Sequence, residues 1–182
     1  GSQSPFKEEF VQAPVENLGT SKLGAELLLK TRSLAGLYKT IALRLFTVYG
    51  PGSKPKQFIP ESILKIKSSN PNAKFHSPDI LRDFIYIDDV VSAIISSIHL
   101  INHDIKFETL NVGTGIGTSI KEVILILVDL LESKKNIDFI DNSDNNNIDI
   151  NHIADLSHIK NKLNWQPTIS LRMGLRKVLD NF

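Results

Sequence analysis

The stretch Arg82-Asp83-Phe84-Ile85-Tyr86-Ile87-Asp88-Asp89-Val90-Val91 holds most of the chemistry-bearing side chains that this chain brings close together. A strand-like aromatic run passes into a helix through two adjacent carboxylates, and a single arginine precedes it. Adjacent carboxylates are one way to build an acid and base pair, provided their surroundings separate their pKa values. Arg82 can form an ion pair with Asp83 or Asp79. A second signal is Gly113-Thr114-Gly115-Ile116-Gly117, which follows a strand and opens a helix as a dinucleotide loop does. That fingerprint also needs a third glycine three residues after the second, and an acidic residue roughly twenty further on. Thr118 stands at that position, so the dinucleotide reading is rejected. Asp141, Ser143, Asn145, Asn147, Asp149 and His152 have calcium-loop spacing, but the central glycine and terminal glutamate are missing. The five histidines form no ligand-like cluster, so no metal is expected.

These residues need elements to hold them. Pro5 and Pro14 make residues 1–15 an irregular approach. A first helix follows, with Asn17 as its expected N-cap, Leu23, Leu27 and Leu34 on one face and Gly36 near its end. Thr40 to Val48 is apolar without strict alternation and predicts one strand covered on both faces, closed by Tyr49-Gly50-Pro51-Gly52. A helix from about Pro60 to Ser68, a strand near Lys74 to His76, the Phe84–Tyr86 strand and a helix to about Leu100 come next. Thr109–Val112 is a further strand. Ser119 and Glu122 form a capping box for a helix striped by Ile120, Val123, Ile124, Leu127 and Leu131. Two short helices, capped by Ser157 and Ser170, finish the chain, the first closing at Asn164, with Trp165 between them as a packing anchor. Strands alternating with helices make the class α/β.

Composition narrows the function further. With 182 residues, 41% of them apolar, the chain can bury a core as one compact unit. A net charge of +1 excludes a field strong enough to gather nucleic acid or anionic membrane. Lys54, Lys56, Lys65, Lys67 and Lys74 form either a phosphate-binding edge or, the preferred reading, a solvated helix face. The absence of cysteine rules out disulfides and a thiolate nucleophile. No apolar run reaches spanning length and no signal pattern opens the chain, so a cytoplasmic location is expected. The sequence starts at Gly1 with its single methionine at Met173, and reads as a processed product or a fragment.

Five motifs in a fixed order carry a resemblance: Ser21-Lys22-Leu23-Gly24-Ala25-Glu26, Leu43 to Gly52, Arg82 to Val91, Asn111-Val112-Gly113-Thr114-Gly115, and Trp165-Gln166-Pro167. Together they resemble the C-terminal half of an extended short-chain dehydrogenase/reductase, the family of NAD-dependent sugar-nucleotide epimerases and dehydratases. The resemblance implies a partial Rossmann-like parallel sheet plus the small C-terminal substrate-binding subdomain. On that view residues 16–50 and 84–112 are the remnant of the nucleotide-binding sheet, and 51–83 and 113–182 form the substrate-binding subdomain. The Asn-x-Gly-x-Gly turn of the family has a packing role, and Asp88 and Asp89 become helix-terminal residues that cap N–H groups and complement the dipole.

The family's chemistry uses NAD on a Gly-rich loop and a Tyr-x-x-x-Lys helix. Residues four apart share a helix face, so the lysine lowers the tyrosine pKa and holds the nicotinamide ribose while the phenolate takes a proton from the sugar. Lys22 matches that lysine, as both the catalytic and the cofactor-binding position, but Leu18 stands where the tyrosine belongs. The resemblance further implies substrate contacts at Thr47, at Phe58, at Phe75 under the base, at Arg82 for the diphosphate and at Asp149 for the ribose. Asn146 replaces a second diphosphate arginine, a loss of about 1.5–3 kcal/mol. The expectation is a partial family member that binds a nucleotide sugar, binds no NAD alone, and needs the N-terminal half or a second copy as partner. A non-catalytic binding or interaction module derived from the family is the alternative.

Overall fold

The structure, a computed structural model, describes residues 4–101, 105–141 and 151–182. Helix α1 spans Asn17–Leu34. Asn17 is its first helical residue rather than its cap: Glu16 holds the cap position and no side chain bonds the free N–H groups there. Gly36 follows the end at φ +80, the left-handed geometry that stops a helix with least strain in glycine. The face expected to be apolar is not covered, since Leu27 and Leu34 are both more than half exposed.

The run from Thr40 to Val48 is two strands, not one. Strand β1 is Thr40–Leu45 and β2 is Thr47–Tyr49. At the break, the Phe46 N–H donates to the Val112 carbonyl at 3.0 Å. An apolar run records that a segment is buried but not which strand it pairs with, and here the partner changes. β1 pairs in parallel with Phe107–Val112, Arg44 opposite Asn111, whereas β2 pairs in parallel with Phe84–Tyr86, Thr47 opposite Phe84. The expected double coverage fails as well: β1 is only partly buried, with Leu45 exposed, because a single strand flanks it among the described residues.

Helix α2 is Phe58–Lys67, β3 is Asn72–His76 and β4 is the two-residue strand Leu81–Arg82. Strand β5, Phe84–Tyr86, runs straight into α3, Ile87–Ile101. Beyond it lie β6 (Phe107–Val112), β7 (Thr118–Ser119), α4 (Ile120–Leu130) and β8 (Asn136–Ile140). Helices α5 (Ser157–Leu163) and α6 (Leu171–Asp180) complete the chain. β3 pairs in parallel with β8, and β4 antiparallel with β7. The capping box on α4 forms as expected, Ser119 Oγ accepting from the Glu122 N–H while the Glu122 carboxylate accepts from Ser119. Ser170 caps α6, and Asn164 closes α5 in the left-handed conformation. Ser157 does not cap α5. It is the first helical residue, and its N–H donates to the Asp155 carboxylate at 2.8 Å.

Side chains alternate across a strand, and β5 uses the alternation to join two cores. Phe84 and Tyr86 enter one with Tyr49, Ile63, Phe75, Val123, Ile124, Leu127, Leu175 and Val178. Ile85 enters the other with Val90, Ala93, Leu110, Val112, Ile159 and Trp165. The indole N–H of Trp165 donates to Ser92 Oγ at 2.8 Å, which completes its anchoring role. No helix among the described residues is long and apolar enough to cross a membrane.

Candidate functional site

The carboxylates of the Arg82–Val91 stretch prove to be structural. Asp83 is fully buried and makes no ion pair with Arg82. Its Oδ1 accepts from the Thr114 N–H at 2.7 Å and the Thr114 hydroxyl at 2.6 Å, and its Oδ2 from Gly115 N–H at 2.9 Å and Ala154 N–H at 3.1 Å. Asp89, also buried, bonds across to another loop instead of capping its own helix. It accepts from the Thr168 N–H at 3.0 Å, the Thr168 hydroxyl at 2.9 Å and the Ile169 N–H at 3.0 Å. Asp88 is exposed and pairs with Lys177 at 3.2 Å. Both aspartates remain in the first turn of α3, where their charge complements the dipole.

Arg82 sits among three segments. Its β4 strand pairs with Thr118, it bridges to His152, and its Nη1 donates to the Leu81 carbonyl at 3.0 Å. Two residues on, Phe84 faces Thr47 across the β2–β5 pair, and the Phe58 ring lies 5.9 Å from the Phe84 ring. The Thr47 N–H donates to the Asp83 carbonyl at 2.9 Å. Thr47, Phe58 and Arg82 are therefore gathered around one strand, β5. A cleft of about 240 Å³ opens beside Phe84, bordered by Thr114, Ile116, Thr118, Pro167 and Ile169. His152 stacks edge-on against Phe6, and burial together with the charge of Arg82 lowers its pKa.

Other expected residues lie elsewhere. Phe75 is 4% exposed, enclosed in the first core against Phe139 and beneath Lys65, so its ring presents no free face to a base. Lys22 and Leu18 are one turn apart on α1, and Leu18 is 68% exposed. Asp149 and Asn146, like most of the Asp/Asn series, fall outside the described residues. No group of metal ligands forms among the described residues. The buried phenols offer no substitute base: burial pushes the Tyr49 pKa far up, with its hydroxyl donating to the Leu171 carbonyl at 3.2 Å, and the Tyr86 pKa is also raised, by burial and by Asp88.

The described residues do not fit an NAD pyrophosphate at the glycine turn. A pyrophosphate would need the turn's N–H groups, yet those of Thr114 and Gly115 are taken by Asp83. A Cβ on Gly113 would stand 2.5 Å from Asp83 Oδ2, and one on Gly117 would stand 2.5 Å from the Ile153 side chain. These glycines permit close packing, as the family turn implies, and do not cradle a ligand.

The NAD dependent epimerase/dehydratase family model matches residues 1–113. A UDP-glucuronate 4-epimerase of Thermodesulfobacterium geofontis is 34% identical over 99% of this chain and 54% of its own length. A dTDP-4-dehydro-6-deoxyglucose reductase of Escherichia coli is 31% identical, over 98% of this chain and 56% of its own. The chain thus spans about half the length of the curated relatives it matches. Among solved structures, MoeE5 in complex with UDP-glucuronic acid and NAD superposes with a TM-score of 0.85 at 27% identity, covering 99% of this chain and 60% of that one. A dTDP-glucose 4,6-dehydratase from Bacillus anthracis, 22% identical with a TM-score of 0.85 over 100% of this chain and 56% of that one, shares the fold. On the residues matched, the extent of the match and the mixed α/β architecture, the chain belongs to the NAD dependent epimerase/dehydratase family.

Proposed function

We propose that this chain is the substrate-holding part of a sugar-nucleotide epimerase or dehydratase, and that Arg82 contacts the diphosphate of the nucleotide sugar. The observation that carries the reading is that Thr47, Phe58 and Arg82 all lie beside β5, Thr47 paired with Phe84, the Phe58 ring against it and Arg82 two residues before it. The guanidinium supplies charge-assisted donors for phosphate, Phe58 supplies an aromatic wall, and Thr47 supplies a hydroxyl for the sugar. Asp149 would meet the ribose, and the 34% identity to a UDP-glucuronate 4-epimerase makes a UDP-sugar the first candidate. The redox half of the reaction requires an NAD-binding half, supplied by a longer chain or by a partner, and Lys22 on α1 would be the residue that meets it. We assign the protein to the cytoplasm, where nucleotide sugars are made.

Calorimetric titration with UDP-glucuronate tests this. Saturable binding that Arg82→Ala weakens about tenfold or more is expected, the equivalent of one charge-assisted phosphate contact. Unaltered binding by the variant would remove Arg82 from the site, and no saturable heat with any UDP-sugar would overturn the reading.

Leu18 favours a second reading, a binding module without catalysis. It occupies the tyrosine position of the family, is largely exposed, and cannot exchange a proton. If a nucleotide-binding half from a relative is joined to this chain, turnover should stay about 10²- to 10⁴-fold low until Leu18→Tyr restores the proton-transfer group. Equal turnover by the two forms would mean that another base serves.

A further inference from the structure

We infer that Asp83 is a positioning residue for Arg82, acting as a buried anionic knot that fixes both segments flanking the arginine. The inference rests on the reading of Arg82 as the diphosphate ligand. β4 is only two residues long, and its own ladder with β7 is too short to hold Arg82 in one place. What surrounds it is tied to a single carboxylate. On one side the turn before β7 is held through Thr114 and Gly115, and on the other the 151–154 segment is held through Ala154. The backbone continues the tie: Asp83 N–H donates to the His152 carbonyl at 2.9 Å, His152 N–H to the Leu81 carbonyl at 3.2 Å, and Leu81 N–H to the Asn151 side chain at 3.0 Å. The space around the knot is full, because Gly113 has no room for a Cβ between Asp83 Oδ2 and the Ala154 side chain.

The choice of partners matters as much as their proximity. A buried carboxylate beside an arginine ordinarily neutralises it, and the Arg82–Asp83 order invites that pairing. Here N–H and O–H donors satisfy the Asp83 charge. The Asp83 charge is thus spent on the loops that flank the arginine and not on its sequence neighbour. Asparagine at position 83 has the same shape but turns an NH₂ toward donors that need an acceptor.

The test is a double-mutant comparison on the full chain, read by calorimetry with UDP-glucuronate and with uridine, which lacks phosphate. Asp83→Asn is expected to weaken UDP-glucuronate binding about tenfold in the native background, with no further loss in the Arg82→Ala background and no change for uridine. Gly113→Ala, whose Cβ presses on Asp83 without facing ligand, should show the same pattern more weakly and serves if Asp83→Asn does not fold. Equal losses in both backgrounds, or parallel losses for uridine, would reduce Asp83 to general support of the fold and overturn the inference. Arg82→Ala binding as well as the native chain would instead overturn the reading on which the inference rests.

Discussion

Every residue of β5 is buried, whereas in the 18 residues of α1 Ser33 alone is buried. Both segments are rich in apolar side chains, so composition does not separate them. Packing does. β5 has a core on each face and buried aspartates at both of its ends, each saturated by donors from distant loops. α1 is held mainly by polar contacts: Glu26 forks onto Arg44 at 2.6 and 3.0 Å, Ser33 shares a hydroxyl contact with Thr40 at 2.6 Å, and Lys30 lies over the Phe107 ring. Leu18, Leu27, Leu28 and Leu34 face outward. The β5 region therefore finishes its own interior, and the α1–β1 region leaves apolar surface exposed.

The largest expected effect follows from that contrast. Leu127→Ala, in the closed core, should lower unfolding free energy by about 2–5 kcal/mol, read as a fall in the urea midpoint. Comparable values for Leu27→Ala on α1 would erase the distinction. Next, Asp89→Ala should cost about 1.5–3 kcal/mol, because it strands the buried N–H groups of Thr168 and Ile169, and amide exchange at those two residues should accelerate. Ser119→Ala should cost about 1 kcal/mol through the lost cap. The same capping box holds the Glu122 carboxyl below its ordinary pKa, the hydrogen bonds from Ser119 being the cause. Its contribution is therefore complete above about pH 4.3, the unfolded value, and fades as pH falls through the lower folded value. Stability measured down that acid range should decline less steeply in Ser119→Ala. The smallest change in stability, within about 0.5 kcal/mol, is expected for Leu27→Lys on α1. That variant sharpens the comparison by another readout: sedimentation at several concentrations should show the native chain associating and Leu27→Lys associating less. A native chain that stays monomeric at every concentration, with β1 strongly protected from exchange, would show that this edge needs no cover.

Local chemistry made parts of this molecule legible in its sequence. The α4 stripe and its capping box could be read because Ser119, Glu122 and the apolar period lie within a few turns of one another. Asn164 and Ser170 were readable for the same reason. What escaped depends on distant partners. β4 and β7 are too short to leave a periodic trace, and the switch at Phe46 is set by where Val112 and Phe84 lie. At the candidate site, the family resemblance implies Arg82, Thr47, Phe58 and Phe75, and the Phe75 ring is enclosed in the first core. Asp83 was read as a pairing option for Arg82, since nothing near it in sequence reveals that Thr114, Gly115 and Ala154 converge on it. The one available signal was a carboxylate standing inside an otherwise buried run.

Tyr49 adds a constraint on the order of assembly. Its hydroxyl finds its acceptor at Leu171, 122 residues later, and its ring packs so closely on α6 that a Cβ at Gly174 would stand 2.2 Å from the hydroxyl oxygen. Loop closure over so long a span comes late in folding. During synthesis the first core must wait for α6 to leave the ribosome before the phenol is satisfied, so a chain interrupted just before Leu171 would carry an open, sticky core into the cell.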